Sequence, residues 1–180
     1  MENKKLEKHR YPIGQFTAPN PVTEDDIRGF IDDIEKLPAK LRNLVSNFSE
    51  EQLNTRYRDG GWTVRQVVHH IADSHLNAYV RFKLALTEDI PTVKPYFEDK
   101  WAELEDGKNA PIEISLNLLD ALCNRWVRML RSLKKKDFEN VFFHPEHGKE
   151  FSLDETAGMY SWHGKHHFAH IDELRKRKGW

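Results

Sequence analysis

One cysteine, Cys123, is all that the sequence contains, so no internal disulfide can form and stability has to come from packing. The same scarcity agrees with a reducing compartment. Charge of one sign is also lacking: 28 Lys and Arg stand against 29 Asp and Glu, a formal net charge of −1. So balanced a chain sets up no field to hold a nucleic-acid backbone or an anionic membrane, and neither partner is expected. No apolar stretch approaches the roughly 20 residues that a membrane-spanning helix needs. Met1 to Arg10 is charged throughout, without the apolar centre of a secretory signal, so the expected location is cytoplasmic. Internal repeats and low-complexity segments are missing as well. With 180 residues and 38% hydrophobic content, a single domain over 1–180 is expected, with 1–22 as a lead-in.

What is abundant is histidine, 10 residues, and tryptophan, 5. Histidine is the commonest protein ligand for zinc, nickel and copper, but only its placement can distinguish a ligand from a surface side chain. Tyr11 to Pro21 carries three of the prolines and reads as an extended segment lying over the domain. Thr23 is a helix cap with Asp26 three residues on. Ile27, Ile31, Ile34, Leu37, Leu41 and Val45 then recur at helical spacing, with Pro38 either kinking this first helix or splitting it. Ser49 to Leu53 is a short capped turn. Thr63 and Gln66 form a capping box opening a second helix to about Leu86.

Thr87 to Pro111 reads as a long crossover, helical only near Trp101 to Leu104. A third helix is expected from a cap at Ser115, through Leu119, Leu122, Trp126, Met129 and Leu133, to the cationic run Lys134 to Lys136. Val141 to Ser152 forms at most a small hairpin, and Ser152 with Glu155 caps a last helix through Arg177. Four helices with a long connection describe an all-α, antiparallel four-helix bundle, a fold that builds metal sites between facing helices.

His163 and His167, four residues apart on the last helix, project from one face together with Thr156, Met159, Tyr160, Ile171 and Leu174. Two imidazoles so spaced can share a metal, and an unpaired imidazole facing the core is costly. His166 and His170 form a competing pair along the margin of that face. A third ligand has to come from the second helix. There His69 lies opposite the apolar arc, His75 falls within it as a core histidine or an alternative ligand, and His70 sits at its margin with Ser74, Asn77 and Arg81.

The remaining residues take simpler readings. Cys123 is a small core residue. His144 and His147 flank a turn as solvated side chains, and Trp62, Trp101, Trp126 and Trp162 act as packing. Asp73, three positions after His70, is a candidate to orient an imidazole or accept a proton, although a solvated carboxylate is the plainer reading.

Two segments, YRDGGWTVRQVVHHIADSH over Tyr57–His75 and WHGKHHFAHI over Trp162–Ile171, resemble the DinB/YfiT-like superfamily. With Tyr11–Gly14 and Arg81–Lys83 the match is similar to its YfiT branch of predicted metal-dependent hydrolases. The resemblance implies a four-helix bundle, a homodimer and one divalent metal per subunit, zinc or nickel, on His70, His163 and His167. Where distant relatives continue the last motif with Arg-Gly-Gln, this chain has Phe168-Ala169-His170.

Three protein ligands leave a position open for water or substrate, as in catalytic zinc sites. The expected activity is therefore metal-dependent hydrolysis of a small-molecule substrate, an amide or ester. One alternative is transfer of a thiol of the bacillithiol type, its polar part met by Arg81 or Lys165. Another is a non-catalytic metal-binding or structural dimer module.

Overall fold

The structure is a computed structural model that describes residues 7–180; the first six residues of the charged N-terminal run and of the lead-in lie outside the described residues. Residues 7–10 are helical. The irregular segment that follows is laid over the last helix, with the Phe16 ring 6.2 Å from Trp162 and the Tyr11 ring 5.9 Å from His166.

Helix α1, Glu24–Val45, starts at a complete capping box in which the Asp26 N–H donates to Thr23 Oγ1 at 3.2 Å and the Thr23 N–H donates to Asp26 Oδ2 at 2.9 Å. Pro38 lies inside this helix without splitting it. Proline removes one ladder donor, but Ile27, Ile31, Ile34, Leu37, Leu41 and Val45 are all buried along one stripe, and that burial holds the helix through the defect. A single turn, α2, Glu50–Leu53, precedes α3, Val64–Thr87, whose Thr63–Gln66 capping box also forms in both directions.

The crossover contains two single-turn helices, α4, Glu98–Trp101, and α5, Glu105–Lys108. Helix α6, Ile112–Ser132, is capped at Pro111 and not at the expected Ser115. The helix begins earlier because proline has no N–H to lose at its start, which frees the Ser115 hydroxyl for another partner. A 3-10 turn, Lys135–Glu139, leads to β1, Val141–His144, and β2, Lys149–Ser152, paired antiparallel with Phe142 opposite Phe151. Helix α7, Leu153–Lys178, closes the chain and ends at Gly179 in the left-handed conformation, φ 69°. Of the expected Ser152–Glu155 box only one half forms: Ser152 Oγ accepts the Glu155 N–H at 3.4 Å, whereas the Glu155 carboxylate is turned to Lys149 Nζ at 3.5 Å.

The long helices α1, α3, α6 and α7 make the four-helix bundle. Helix α1 packs on α6 and α7, and α3 packs on the same two, so the contacts that build the core join helices distant in sequence. Trp126, Phe82, Leu41, Ile71, Leu119 and Ile171 are fully buried at its centre, each worth about 1.5–3 kcal/mol of apolar burial. The crossover is tied to the hairpin: the Val93 N–H donates to the Phe143 carbonyl and the Phe143 N–H to the Pro91 carbonyl, both at 3.0 Å. This fixes the segment through Tyr96 beside α3 and α7.

A close approach of α1 and α7 requires Gly164, where a Cβ would lie 2.7 Å from Leu37 Cδ2, whereas Gly29 on the exposed side of α1 faces open space. Gly164→Val is therefore expected to cost about 1–3 kcal/mol by overpacking. Gly29→Ala is expected to gain up to about 1 kcal/mol of helix propensity. Urea denaturation of both variants checks the contrast.

Candidate metal centre

Helix α3 carries His70 and helix α7 carries His163 and His167, and the packing of α3 on α7 brings the three rings together. Each can present one ring nitrogen such that all three lie within 4.8 Å of one another. His70 Nε2 and His163 Nε2 are 3.2 Å apart. Two nitrogens bound tetrahedrally at the usual 2.0–2.1 Å would be separated by about 3.3 Å, so this edge already has the length that a zinc-sized ion requires.

Protonation agrees with that use. Burial first, and neighbouring His75, His170 and His166 next, push His70 down to about 3. Burial and the surrounding histidines hold His163 and His167 well below the ordinary imidazole value. All three are neutral at physiological pH, the form in which imidazole ligates.

The competing pair has another role. His170 Nε2 lies 3.0 Å from the Arg10 carbonyl and its Nδ1 lies 3.4 Å from His167 Nδ1. A carbonyl can only accept, so His170 donates from Nε2, its Nδ1 accepts, and His167 donates from Nδ1. That leaves the His167 Nε2 lone pair free to face the cluster. Metal-binding imidazoles are commonly oriented in this way through the far nitrogen. The Tyr57 ring stacks on His170 at 4.0 Å. His166 stacks on Trp162 at 4.4 Å, outside the three-nitrogen group.

The other α3 histidines are occupied elsewhere. His69 donates from Nε2 to the Ala110 carbonyl at 3.1 Å and accepts the Ser115 hydroxyl at Nδ1 at 2.7 Å, pinning α3 to the start of α6. His75 is fully buried, donates from Nδ1 to the Ile71 carbonyl at 2.9 Å and has no partner at Nε2. His163 Nδ1 is likewise buried without a partner, and its ring is centred 6.1 Å from that of His75.

A cavity of about 380 Å³ opens over the cluster, walled by Trp62, Ser74, Arg81, Tyr96, His144 and Tyr160 among others. The Trp62 ring lies 4.5 Å from His70 and 6.2 Å from His167, so it is a wall of the site as well as packing. Trp101 is 37% exposed and stands against Tyr96 instead of entering the core. His144, expected to be solvated, is buried, because β1 alternates outward and inward and its last residue points in; His147 is exposed, as expected.

Asp73 does not line the cavity; the carboxylates that do are Glu98 and Glu146. Burial and then the Asp106 charge push Asp73 up to about 6. Lys165 is exposed and paired with Asp33 at 2.8 Å, away from the cavity. Cys123 is a core residue whose thiol burial pushes up to about 12.

Fold and site together define a helical bundle with three convergent neutral histidines at the foot of an open cavity. The profile of the DinB superfamily matches residues 33–171, and the chain belongs to that superfamily. A Bacillus cereus (strain B4264) protein, provisionally named a metal-dependent hydrolase, is 56% identical over 171 residues, 95% of this chain and 98% of its own length. A Bacillus thuringiensis subsp. konkukian protein of the same provisional name matches to the same extent, 56% identity over 95% and 98% of the two chains. YfiT from Bacillus subtilis, described as "a probable metal-dependent hydrolase with an unusual four-helix bundle topology", superposes with a TM-score of 0.94 at 46% identity, over 96% of this chain and 99% of that one. Among the described residues, no helix is long and apolar enough to cross a membrane.

Two predictions follow from this geometry. His170→Ala should weaken retention of a divalent ion about 10- to 100-fold, and His170→Asn, whose amide oxygen can accept from His167, should recover part of it. Competition against a chelator, alongside His69→Ala as a variant that loses stability but not metal, checks this. Asp73, whose folded-state value lies above its ordinary 3.8, binds its proton more tightly when folded, so stability falls as pH rises from about 4 through about 6. Asp73→Asn should gain on the parent across that window and hold its advantage above it, as read by denaturation at pH 4, 6 and 8.

Proposed function

We propose that this chain is a metal-dependent hydrolase that holds one divalent ion, zinc first and nickel second, on His70, His163 and His167 and cleaves an ester or amide of a small molecule. The observation that carries the reading is the convergence of three neutral imidazole nitrogens within 4.8 Å at the foot of a cavity. Structural zinc sites are closed by four protein ligands, whereas three leave a position for substrate chemistry. No fourth His, Cys, Asp or Glu joins the group among the described residues. The ion would supply Lewis acidity, polarising a carbonyl and acidifying water towards neutral pH.

The protein's own groups do the rest. His170 and the Arg10 carbonyl hold the His167 ring in one tautomer. Trp62 covers the His70 face and narrows the water-accessible side of the cluster. Glu98 and Glu146 line the cavity and are the carboxylates within reach of a proton released there. The provisional names of the relatives agree with hydrolysis, and with Cys123 buried any thiol for a transfer reaction would have to come from a small molecule.

We further read the protein as a cytoplasmic homodimer. Support for the dimer comes from exposed apolar side chains on two helices that pack together, Leu76 and Val80 on α3, and Ile114 and Leu118 on α6.

Untagged protein purified without metal-affinity steps is expected to carry about one ion per chain, by elemental analysis, as three-ligand sites do. His70→Ala, His163→Ala and His167→Ala should each lose most of it. Ester or amide hydrolysis should disappear on chelation and return with added zinc. Metal retained by the three variants would overturn the ligand set. Turnover of thiol conjugates without hydrolysis would move the activity to S-transfer.

A further inference from the structure

Two arginines are buried within α3, and they are treated differently. Arg65, 4% exposed, is fully engaged: it pairs with Glu50, donates to Asn54 Oδ1 at 3.3 Å and donates to the Ala110 carbonyl at 2.9 Å. Arg81, 8% exposed, has no ion pair, hydrogen bond or ring contact among the described residues. A guanidinium is permanently charged, and burying it without a counter-charge is costly. Its surroundings show where a partner belongs.

Arg81 lines the cavity over the three histidines, and it also lines an adjoining one of about 370 Å³ walled by Phe16, Phe142, Phe151 and Trp162. His144, His147 and Met159 border both, so the two spaces adjoin at the wall that carries the guanidinium. After burial, the Arg81 charge is the next cause that lowers the His144 value, which favours the uncharged form of that neighbour. The carboxylates nearby leave Arg81 free. Glu155 is held by Lys149 at 3.5 Å, and Glu98 and Glu146 are exposed at the mouth. Those rim charges disfavour a doubly charged ligand more than a singly charged one.

We propose that the site takes an elongated substrate with a single terminal carboxylate bound by Arg81, its reacting carbonyl at the histidine cluster and an apolar side chain next to the carboxylate in the aromatic trough. Only the placement of the reacting carbonyl rests on the hydrolase reading; the anion site does not. The length follows from α3. His70 and Arg81 are eleven residues apart on nearly the same face, roughly 16 Å along the axis. Both side chains lean back towards the N-terminus, the longer arginine by more, which shortens this to roughly 10–13 Å. That is the span of about three extended residues, so a short peptide or peptide-like acid ending in an aromatic residue fits.

The probe is acetyl-Gly-Gly-Phe, compared with its C-terminal amide, by titration calorimetry on zinc-loaded protein. The acid is expected to bind at least about tenfold tighter than the amide, as a charge-assisted bidentate pair allows. Arg81→Gln should abolish the preference, and Arg81→Lys should retain part of it. In metal-free His163→Ala the preference should persist, because the guanidinium and not the ion reads the carboxylate.

Equal binding of acid and amide by the parent protein, or no binding of either, overturns the proposal without recourse to any variant. So does a preference that survives Arg81→Gln or vanishes in His163→Ala. Phenyl phosphate bound more tightly than the acid would overturn the choice of a carboxylate. An Arg81-dependent preference for the acid with no cleavage of the peptide would leave the anion site standing and overturn the placement of a peptide carbonyl at the histidine cluster.

Discussion

Three imidazoles can occupy one small buried volume only if all of them are uncharged, and most of this bundle can be understood as meeting that condition. Protonating His70, His163 or His167 would put a cation in a desolvated space beside two other basic rings, and burial together with those neighbours opposes it. The helices set the rings. A four-residue interval on α7 puts His163 and His167 on one face, the next interval of three puts His170 behind His167, and α3 brings His70 from across the bundle. Gly164 lies between His163 and His167, where its lack of a side chain lets Leu37 of α1 pack close. The backbone that carries these two histidines is therefore fixed from the side away from the cavity.

Much of this was legible in the sequence, and the places where it was not have specific causes. Helical period and capping boxes mark local preferences, which is why Thr23, Ser49 and Thr63 open helices as expected. Ser115 has the same cap chemistry, yet it serves His69, because Pro111 starts α6 one turn sooner. The helical wheel put His75 in the core, where it is fully buried, but set His69 opposite the apolar arc, whereas its bonds to Ala110 and Ser115 bury it against the start of α6. It could not show that His170 would act through His167, since that depends on the Arg10 carbonyl, a backbone atom 160 residues away in sequence.

The cavity walls were the least legible part. Tyr96 comes from the crossover and His144 from the inward side of a four-residue strand, and both reach the site only because Val93 and Phe143 pair through their backbones. Such pairing leaves no periodic signature in so short a segment. Asp73 illustrates the reverse: near His70 in sequence, it is not among the residues that line the cavity. Arg81 was visible as the end of a polar strip from His70 through Ser74, but its lack of a counter-ion is a property of the packed structure alone.

The orienting partner chosen for His167 also shapes the electrostatics of the cavity. Many metal-binding histidines are oriented by a carboxylate, which adds a negative charge to the surroundings. Here the relay ends on a backbone carbonyl through a neutral imidazole, so neither the three ligands nor this partner would offset the charge of a bound divalent ion. With a divalent ion on the proposed ligands, and an unpaired guanidinium about a nanometre away, the cavity would have positive potential at both ends. Glu98 and Glu146 sit at the rim, where solvent screens them. With no carboxylate in the three-histidine group, a metal bound there as proposed would stay Lewis-acidic, and the cavity would favour a substrate that brings its own negative charge.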